Sequence, residues 1–333
     1  MRQAYSLQLL TITVKFKIPN KAIYLFPITI VKKRHKLFFS IALGGQTIPF
    51  MASIYYRPGE KLNKLVATYF LKDNNDIPDT GFEITIYPNG QTIMGIAYGK
   101  TLPQITDGGN TFEAPSPALN GRYLHPMSVR FFDTQMLITI FKPLGCYYIF
   151  GIPEGVLQNK TIGFKNLGIE GYEKTVDGIS KAHSVREKID LLETWLINTL
   201  AKNDVRPIGY SEYVLNKIIS AGGKLPLKTI LSGLHLNNRY IERHFNQYLG
   251  LNAKAFSEII RFSSMANYLM KYQNAKGYEL CEMGNFYDSS HLIKGFSKYA
   301  GTTPIRFLEK VLNSDKVQIE AIMQLDLANS TVA

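Results

Sequence analysis

A segment near the C-terminus repeats itself after 51 residues, and this repeat constrains the fold more than any other feature of the sequence. The stretch NNRYIERHFNQYLGLNAKAF (237–256) aligns with DSSHLIKGFSKYAGTTPIRF (288–307). Aromatic residues and glycines occupy equivalent positions in the two copies: Phe245 and Phe296, Tyr248 and Tyr299, Gly250 and Gly301, Phe256 and Phe307. Internal repeats expose the unit from which a domain is built, so the sequence predicts two copies of one structural unit.

Each copy has the sequence of a short amphipathic helix with a defined start and end. Asn237 and Asp288 are good N-cap residues, because their side chains accept hydrogen bonds from the first backbone amides of a helix. Gly250 and Gly301 suit the left-handed residue that ends a helix. Between these positions, apolar residues recur at helical spacing and predict one buried stripe per helix. The stripes are Ile241, Phe245 and Tyr248 in the first copy, and Leu292, Phe296 and Tyr299 in the second.

A short apolar segment and a tight turn precede each helix, in LKTILSGLHLN (227–237) and ELCEMGNFYD (279–288). A helix, a tight turn and a second helix form the helix-turn-helix pattern, whose second helix enters the major groove of DNA. The alternative is a pair of amphipathic helices in an ordinary helical bundle.

The two copies also carry the residue pattern of a known family. The first copy matches it at Arg239, Arg243, Phe245, Gly250, Lys254, Phe256 and Arg261. The second copy matches it at Asp288, Ser290, His291, Ile293, Phe296, Gly301, Thr303, Pro304 and Phe307. On these residues, the segment 211–310 resembles the DNA-binding module of the AraC/XylS family of bacterial transcription regulators.

Three positions depart from the family pattern. Asn285 replaces the turn glycine, and because Asn tolerates a positive φ we expect the turn to persist. Ala253 replaces a proline. Ser289 replaces a glutamine at a groove-facing position, so the family's base preference does not carry over.

The resemblance implies an all-α DNA-binding domain, residues 211–312, with two helix-turn-helix units joined by a long helix (253–272). Recognition helices about 34 Å apart meet successive major-groove faces on one side of double-stranded DNA. We expect ten side chains of these helices to contact DNA. They are Asn238, Arg239, Glu242, Arg243 and Asn246 in the first helix, and Ser289, Ser290, His291, Ile293 and Lys294 in the second.

The two recognition helices differ in their capacity to read bases. Arg suits guanine, Asn suits adenine and Glu suits cytosine, and all three types occur in the first helix. The second helix offers serines, a lysine and Ile293, whose apolar surface suits a thymine methyl group. We therefore expect the first helix to read bases directly and the second to contribute more positioning.

Charge is distributed unevenly along the chain, which carries a net charge of +12. Residues 1–50 hold eight basic residues and no acidic one, and residues 51–210 hold 16 of each sign. Residues 211–310 hold 13 basic and seven acidic residues, a net charge of +6. A basic module beside a neutral region suits attraction to DNA phosphates, whereas the alternative is a solvated basic surface.

Residues 51–180 have the patterning of a β-rich domain. The stretch FEITIYPNGQTIMGIAYGK (82–100) alternates around Asn-Gly, which predicts a hairpin, and residues 127–143 are typical of a strand. We predict a sandwich or barrel. The chain is then of the α+β class, with a mostly β N-terminal domain followed by an all-α domain. Residues 86–99 and 141–153 resemble segments of the sensory domain that precedes AraC-type modules, which implies an effector of unknown identity.

The β-rich region shows no catalytic or metal-binding pattern, so we predict neither enzyme activity nor a cofactor. His125 lacks the neighbouring histidines and carboxylates that a metal site needs. Two cysteines far apart, Cys146 and Cys281, fit a reducing cytoplasm, and we expect Cys146 to pack in a core rather than act as a redox sensor. The aromatic stretch GCYYIF (145–150) is expected in the core, with the lining of a small-molecule pocket as the alternative.

Residues 181–210 are predicted to form a linker helix and a loop. Ser184 and Glu187 make a capping box, and an apolar stripe at helical spacing follows. The stripe consists of Ile189, Leu192, Leu196 and Leu200, with Trp195 beside it. We expect most of it to pack within the chain, with pairing between the subunits of a homodimer as the alternative.

Residues 1–50 mix basic and apolar residues. Their longest uncharged apolar run, AIYLFPITIV (22–31), is too short for a bilayer span of about 20 residues, and the order of features is not that of a signal peptide. We expect translation to start at Met51, so that residues 1–50 are not native. The alternative is a disordered basic extension that adds nonspecific affinity for DNA. Residues 313–333 form a C-terminal tail.

These features together predict a cytoplasmic, sequence-specific DNA-binding transcription regulator without a membrane partner. Its N-terminal domain would sense a small molecule, and effector binding would change how that domain restrains the DNA module. RNA polymerase is an expected partner if the regulator is an activator. The alternative is a ligand-binding or protein-docking module whose helical domain contacts protein rather than DNA.

Overall fold

The computed structural model describes residues 8–16, 24–33, 36–43, 46–50, 55–72, 81–203, 205, 207–232, 234 and 238–313. The chain divides into two compact units, one within Met1–Ile54 and the other within Tyr55–Ser314. The predicted linker and helical domain fall in the second unit, as does the predicted β-rich domain from Tyr55 onward. Most of the predicted tail lies outside the described residues.

The first unit contains a four-stranded antiparallel sheet in the order β1-β2-β3-β4. Its strands are β1 (Gln8–Phe16), β2 (Tyr24–Lys33), β3 (Lys36–Leu43) and β4 (Gln46–Phe50). They are rich in Ile, Val, Thr and Phe, residue types that favour strands. Strands thus occupy a segment for which the sequence analysis named disorder as one option. A translation start at Met51 stays a prediction.

The second unit begins with two antiparallel sheets. One has six strands in the order β14-β11-β8-β13-β6-β5, and the other has four in the order β10-β9-β12-β7. The six-stranded sheet comprises β5 (Tyr55–Tyr56), β6 (Val66–Lys72), β8 (Ile93–Ala97), β11 (Ala118–Asn120), β13 (Met136–Phe141) and β14 (Thr161–Gly163). The four-stranded sheet comprises β7 (Phe82–Ile86), β9 (Gln104–Asp107), β10 (Asn110–Glu113) and β12 (Met127–Phe131).

The two sheets form a sandwich, because buried side chains from both meet in one core. Val129 and Phe131 of the four-stranded sheet pack in the same cluster as Ile138 and Ile140 of the six-stranded sheet. Every residue of β13 is buried, since its alternate side chains enter a second core on the other face of the sheet. The predicted mostly β region of an α+β chain is confirmed.

Two details of the strand prediction were wrong. The strands that flank Asn89-Gly90 do not form a hairpin, since β7 pairs with β12 whereas β8 pairs with β11 and β13. The connection, residues 87–92, is longer than a two-residue hairpin loop and carries the chain from one sheet to the other. Residues 127–143 likewise contain two strands, β12 and β13, in different sheets.

Helices cover the outer face of the six-stranded sheet. They are α1 (Gly145–Phe150), α2 (Glu173–Lys181) and α3 (Val185–Lys202), with 3-10 turns at Glu154–Leu157 and Phe164–Leu167. The backbone N–H of Glu187 donates to the Ser184 hydroxyl at 3.1 Å, which confirms the predicted N-cap of α3. Ile189, Leu192 and Leu196 are buried in the core that contains β13. The stripe of the linker helix therefore packs within the chain.

The remaining helices form a second, helical region. They are α4 (Tyr210–Ser220), α5 (Leu227–Leu231), α6 (Asn238–His244), α7 (Ala253–Lys271), α8 (Gly277–Gly284), α9 (Ser289–Ala300) and α10 (Pro304–Asn313). A π-helical turn, Phe245–Leu249, continues α6. One hydrophobic cluster runs through all of these helices. Among the helices of the described residues, none is long and apolar enough to cross a bilayer.

Candidate nucleic-acid interface

The first recognition helix consists of α6 and its π-helical turn. Ile241, Phe245 and Leu249 face inward and are at most 1% exposed. Gly250 ends the helix in the left-handed conformation with a φ of 73°, as predicted. The predicted cap Asn237 lies outside the described residues. The five side chains predicted to contact DNA from this helix are all exposed: Asn238, Arg239, Glu242, Arg243 and Asn246.

The second recognition helix, α9, has the same organisation. Asp288 caps it, since the carboxylate accepts a hydrogen bond from the backbone N–H of His291 at 2.7 Å. Gly301 ends it with a φ of 68°. Leu292, Phe296 and Tyr299 are buried, which confirms the inward stripe. The predicted DNA-contacting residues of α9 are again exposed: Ser289, Ser290, His291, Ile293 and Lys294.

The turn before α9 is built around Phe286. Asn285 adopts the left-handed conformation with a φ of 51°, so the turn persists without the family's glycine. Gly284 and Gly295 make room for the Phe286 ring, because a Cβ at either position would lie within 2.8 Å of a ring carbon. The Arg261 guanidinium of α7 covers the ring at 4.5 Å from its centroid. Phe286 thereby joins α7, α8 and α9.

An ion pair joins α9 to the long helix α7. Lys298 Nζ donates to a Glu258 carboxylate oxygen at 2.7 Å, and the Tyr299 hydroxyl donates to the same oxygen at 2.9 Å. Burial alone would raise the pKa of Glu258, but these hydrogen bonds and the charge of Lys298 hold the pKa below its ordinary value. The carboxylate thus stays charged and fixes α9 on α7.

The helix α7 carries both units on one core. Its side chains Phe256, Ile259 and Phe262 are at most 1% exposed and belong to the cluster that also contains Phe245 and Phe296. Because α7 supports both recognition helices on packed aromatic contacts, their outward faces are held on one body. This is the long connecting helix that the sequence predicted.

The β sandwich contributes directly to this helical core. The ring of Tyr87, next to β7, meets Phe307 of α10 edge-on at 5.0 Å between centroids. The ring centroids of Tyr147 in α1 and Tyr248 at the end of the first recognition helix are 4.8 Å apart. A Cβ on Gly90 would lie 3.2 Å from Phe256 of α7. The two stretches that resembled a sensory domain therefore both contact the helical region.

The structure shows an exposed aromatic residue, Tyr287, that the sequence patterns did not indicate. Tyr287, directly before the Asp288 cap, is 95% exposed. Tyrosine suits an interface because its ring combines apolar area with a polar end. A signal was present, since an aromatic residue next to an N-cap has no place in the inward stripe.

His125, Cys146 and Cys281 all lie in the described part of the chain. No group of three or more His, Cys, Asp or Glu residues could hold a metal ion there. The His125 ring lies 2.5 Å from the Asp107 carboxylate. Cys146 is fully buried in the core, as expected, and burial raises the pKa of its thiol well above the ordinary value.

A groove of about 560 Å³ opens between α3 and the segment before α2. Phe150 and Trp195 form part of its apolar wall, and Lys174 and Lys202 supply positive charge. The aromatic stretch 145–150 is thus mainly core, since five of its six residues are buried, while Phe150 also borders this groove.

Comparisons with known proteins return distant structural similarities. No protein-family model and no curated protein sequence matches the chain. A structure of ToxT from Vibrio cholerae is 12% identical with a TM-score of 0.39, over 72% of this chain and 96% of that one. The AraC-like transcriptional activator CuxR is 10% identical with a TM-score of 0.18, over 92% of this chain and 86% of that one. At these scores the similarities decide neither fold nor function.

Proposed function

We propose that this chain is a sequence-specific DNA-binding transcription regulator whose helices α6 and α9 enter successive major grooves of double-stranded DNA. One observation carries the proposal. Both helices bury their apolar stripes in one core and leave all ten predicted DNA-contacting side chains exposed. A helical bundle with no partner has no need to present two equivalent helices, each ended by a left-handed glycine, in this way.

The chemistry of the outward faces suits DNA. Arg239, Arg243 and Asn246 on the first helix can form paired hydrogen bonds with guanine and adenine, and Glu242 can accept from cytosine. On α9, Lys294 suits a phosphate, and Ile293, which is 43% exposed, suits a thymine methyl group. The net charge of +6 between residues 211 and 310 attracts the DNA backbone.

The β sandwich is the regulatory part of this proposal. An unknown effector would bind it and shift the population between states in which the sandwich holds the helical region differently. The contacts of Tyr87 and Tyr147 with the helical core provide the physical connection. RNA polymerase would be a further partner if the regulator is an activator. A second copy of the chain would be a partner if it forms a homodimer.

Exposed apolar residues favour a second candidate, a protein-docking module. Tyr287, Tyr278 and Ile305 of the helical region are 95%, 63% and 72% exposed. A protein partner could cover these side chains. Such an interface would depend far less on salt than one made with phosphates.

Selection from random DNA with the full chain separates the two candidates. The full chain is needed because Tyr87 and Tyr147 belong to the helical core. We expect enrichment of a bipartite site whose affinity falls by about 10³-fold or more between 50 and 200 mM salt, as six or more phosphate contacts require. Absence of any enriched sequence, or binding that salt leaves unchanged, would favour the docking module.

A further inference from the structure

Arg122, which follows β11, joins three distant segments through its buried guanidinium. The side chain is 1% exposed. Its Nε donates to the carbonyl oxygen of Gly90 at 2.7 Å, and its Nη1 donates to the carbonyl oxygen of Leu249 at 2.9 Å. Nη1 also donates to the carboxylate of Glu154, which is equally buried. One residue of the β sandwich therefore binds the end of the first recognition helix.

The contact with Leu249 matches what a helix end requires. The last carbonyl groups of a helix have no partner within it, and they attract positive charge because the helix dipole is negative there. Arg122 supplies a donor and a positive charge in a place that water does not reach. A guanidinium also presents its donors in a rigid fork, which fixes direction as well as distance.

The backbone segments around this contact are closely packed. A Cβ on Gly155, next to Glu154, would lie 2.7 Å from the carbonyl oxygen of Asn246. A Cβ on Gly250 would lie 3.0 Å from the carbonyl oxygen of Glu154. The Glu154–Gly155 segment therefore lies directly against the last turn of the recognition helix. That turn is the π-helical one, a form that is rare and often found at functional sites.

Resting on the proposed function above, we propose that Arg122 is a positioning residue for DNA recognition. It touches no DNA itself. It holds the C-terminal end of the first recognition helix, and so sets how Arg239, Arg243 and Asn246 meet the bases. The second recognition helix is held by Glu258 and Phe286 of the helical region. The β sandwich reaches that half through the aromatic contact of Tyr87 with Phe307, which does not involve Arg122. Arg122 thus acts on the half of the DNA site that the first helix reads.

The test compares the two halves of the selected site in the full chain. The half read by the first helix is the one that contains the base pair at which Arg243→Ala stops discriminating. Arg122→Met combined with Glu154→Leu replaces the buried pair by apolar residues of similar volume, a change that folded proteins often tolerate. Arg122→Lys is the second variant, because it keeps the charge beside Glu154 but cannot reproduce the fork. Arg130→Met, an exposed arginine of β12, is the matched control.

In wild type and in Arg130→Met, we expect scrambling either half to weaken binding by on the order of a hundredfold. In both Arg122 variants, the loss of affinity caused by scrambling the first half should be at least about tenfold smaller than in wild type. The loss caused by scrambling the second half should be unchanged. Hydrogen exchange of the free protein should show the amides of residues 245–250 exchanging faster, with those of α9 unchanged.

Equal loss at both halves, or unchanged exchange at residues 245–250, would overturn the positioning role and leave Arg122 as a stabilising residue. If scrambling either half leaves the affinity of wild type unchanged, the proposed function is wrong, and the positioning role falls with it. If scrambling either half weakens binding of wild type and of the Arg122 variants by the same factor, only the positioning role is wrong.

Discussion

Lys298 on the second recognition helix lies 2.7 Å from Glu258 on the long helix α7. The Glu258 carboxylate also accepts a hydrogen bond from the Tyr299 hydroxyl at 2.9 Å. Part of the attachment of α9 to α7 therefore depends on the ionisation of Glu258. This dependence can be measured as the change in the free energy of unfolding with pH.

Glu258→Gln should destabilise the chain at neutral pH but not in acid. The pKa of Glu258 is below its ordinary value of 4.5 in the folded state, so the carboxylate stabilises the fold above that pH, and this contribution is lost as the pH falls through the folded pKa. We expect a difference of about 0.5–1 kcal/mol at pH 7, because the site is partly exposed to solvent. Urea unfolding followed from pH 7 down to about pH 3 measures it, because the loss is complete only below the folded pKa. A difference that stays constant would contradict the assignment.

Gly295→Ala should destabilise the second helix-turn-helix unit. The added methyl group would lie 2.8 Å from the Phe286 ring. Overpacking costs about 1–3 kcal/mol, against about 1 kcal/mol gained from the helix propensity of Ala. Gly277→Ala in α8 is the control, because a Cβ there meets nothing within 4 Å. Thermal unfolding of both variants should show a loss for Gly295→Ala only; equal behaviour would mean that Phe286 does not occupy this place.

Lys294→Ala should weaken binding to all DNA sequences by a similar factor. Its exposed ammonium group suits a phosphate rather than a base edge. We therefore expect the salt slope of log K to fall by about 1 without a change in the preferred sequence. Titrations at several salt concentrations, with the selected site and with unrelated DNA, measure both quantities. A changed base preference would show that Lys294 reads a base instead.

The two cysteines should differ in reactivity. Cys146 is fully buried and burial raises the pKa of its thiol, so little of the reactive thiolate forms. Cys281 is half-buried. A thiol reagent at pH 8 should label wild type at Cys281 only, and Cys281→Ser should stay unlabelled until the protein is unfolded. Labelling of native Cys281→Ser would show that the core around Cys146 opens.

The helical region could be predicted from sequence because its signals are local and agree with one another. The Asp288 cap, the stripe through Leu292 and Phe296, and the stop at Gly301 are all set within 14 residues of chain. The long helix α7 is expected from the family resemblance of the two copies that flank it. Local consistency of this kind is typical of segments whose structure sequence alone specifies.

The parts that were missed depend on distant segments. The chain bends at Gly90, which has a positive φ, but β7 and β8 pair with β12, β11 and β13 rather than with each other. Arg122 lies 32 residues from Glu154 and 127 residues from Leu249. No periodicity or spacing signals such a contact.

The central claim is that the outward face of the first recognition helix reads bases, and Arg243→Ala tests it most directly. Binding of wild type and variant is measured on the selected site and on every single-base-pair change within it. We expect the variant to lose about 1–3 kcal/mol and to stop discriminating at one base pair, as loss of a paired guanine contact requires. Wild-type affinity together with unchanged preference at every position would contradict the account.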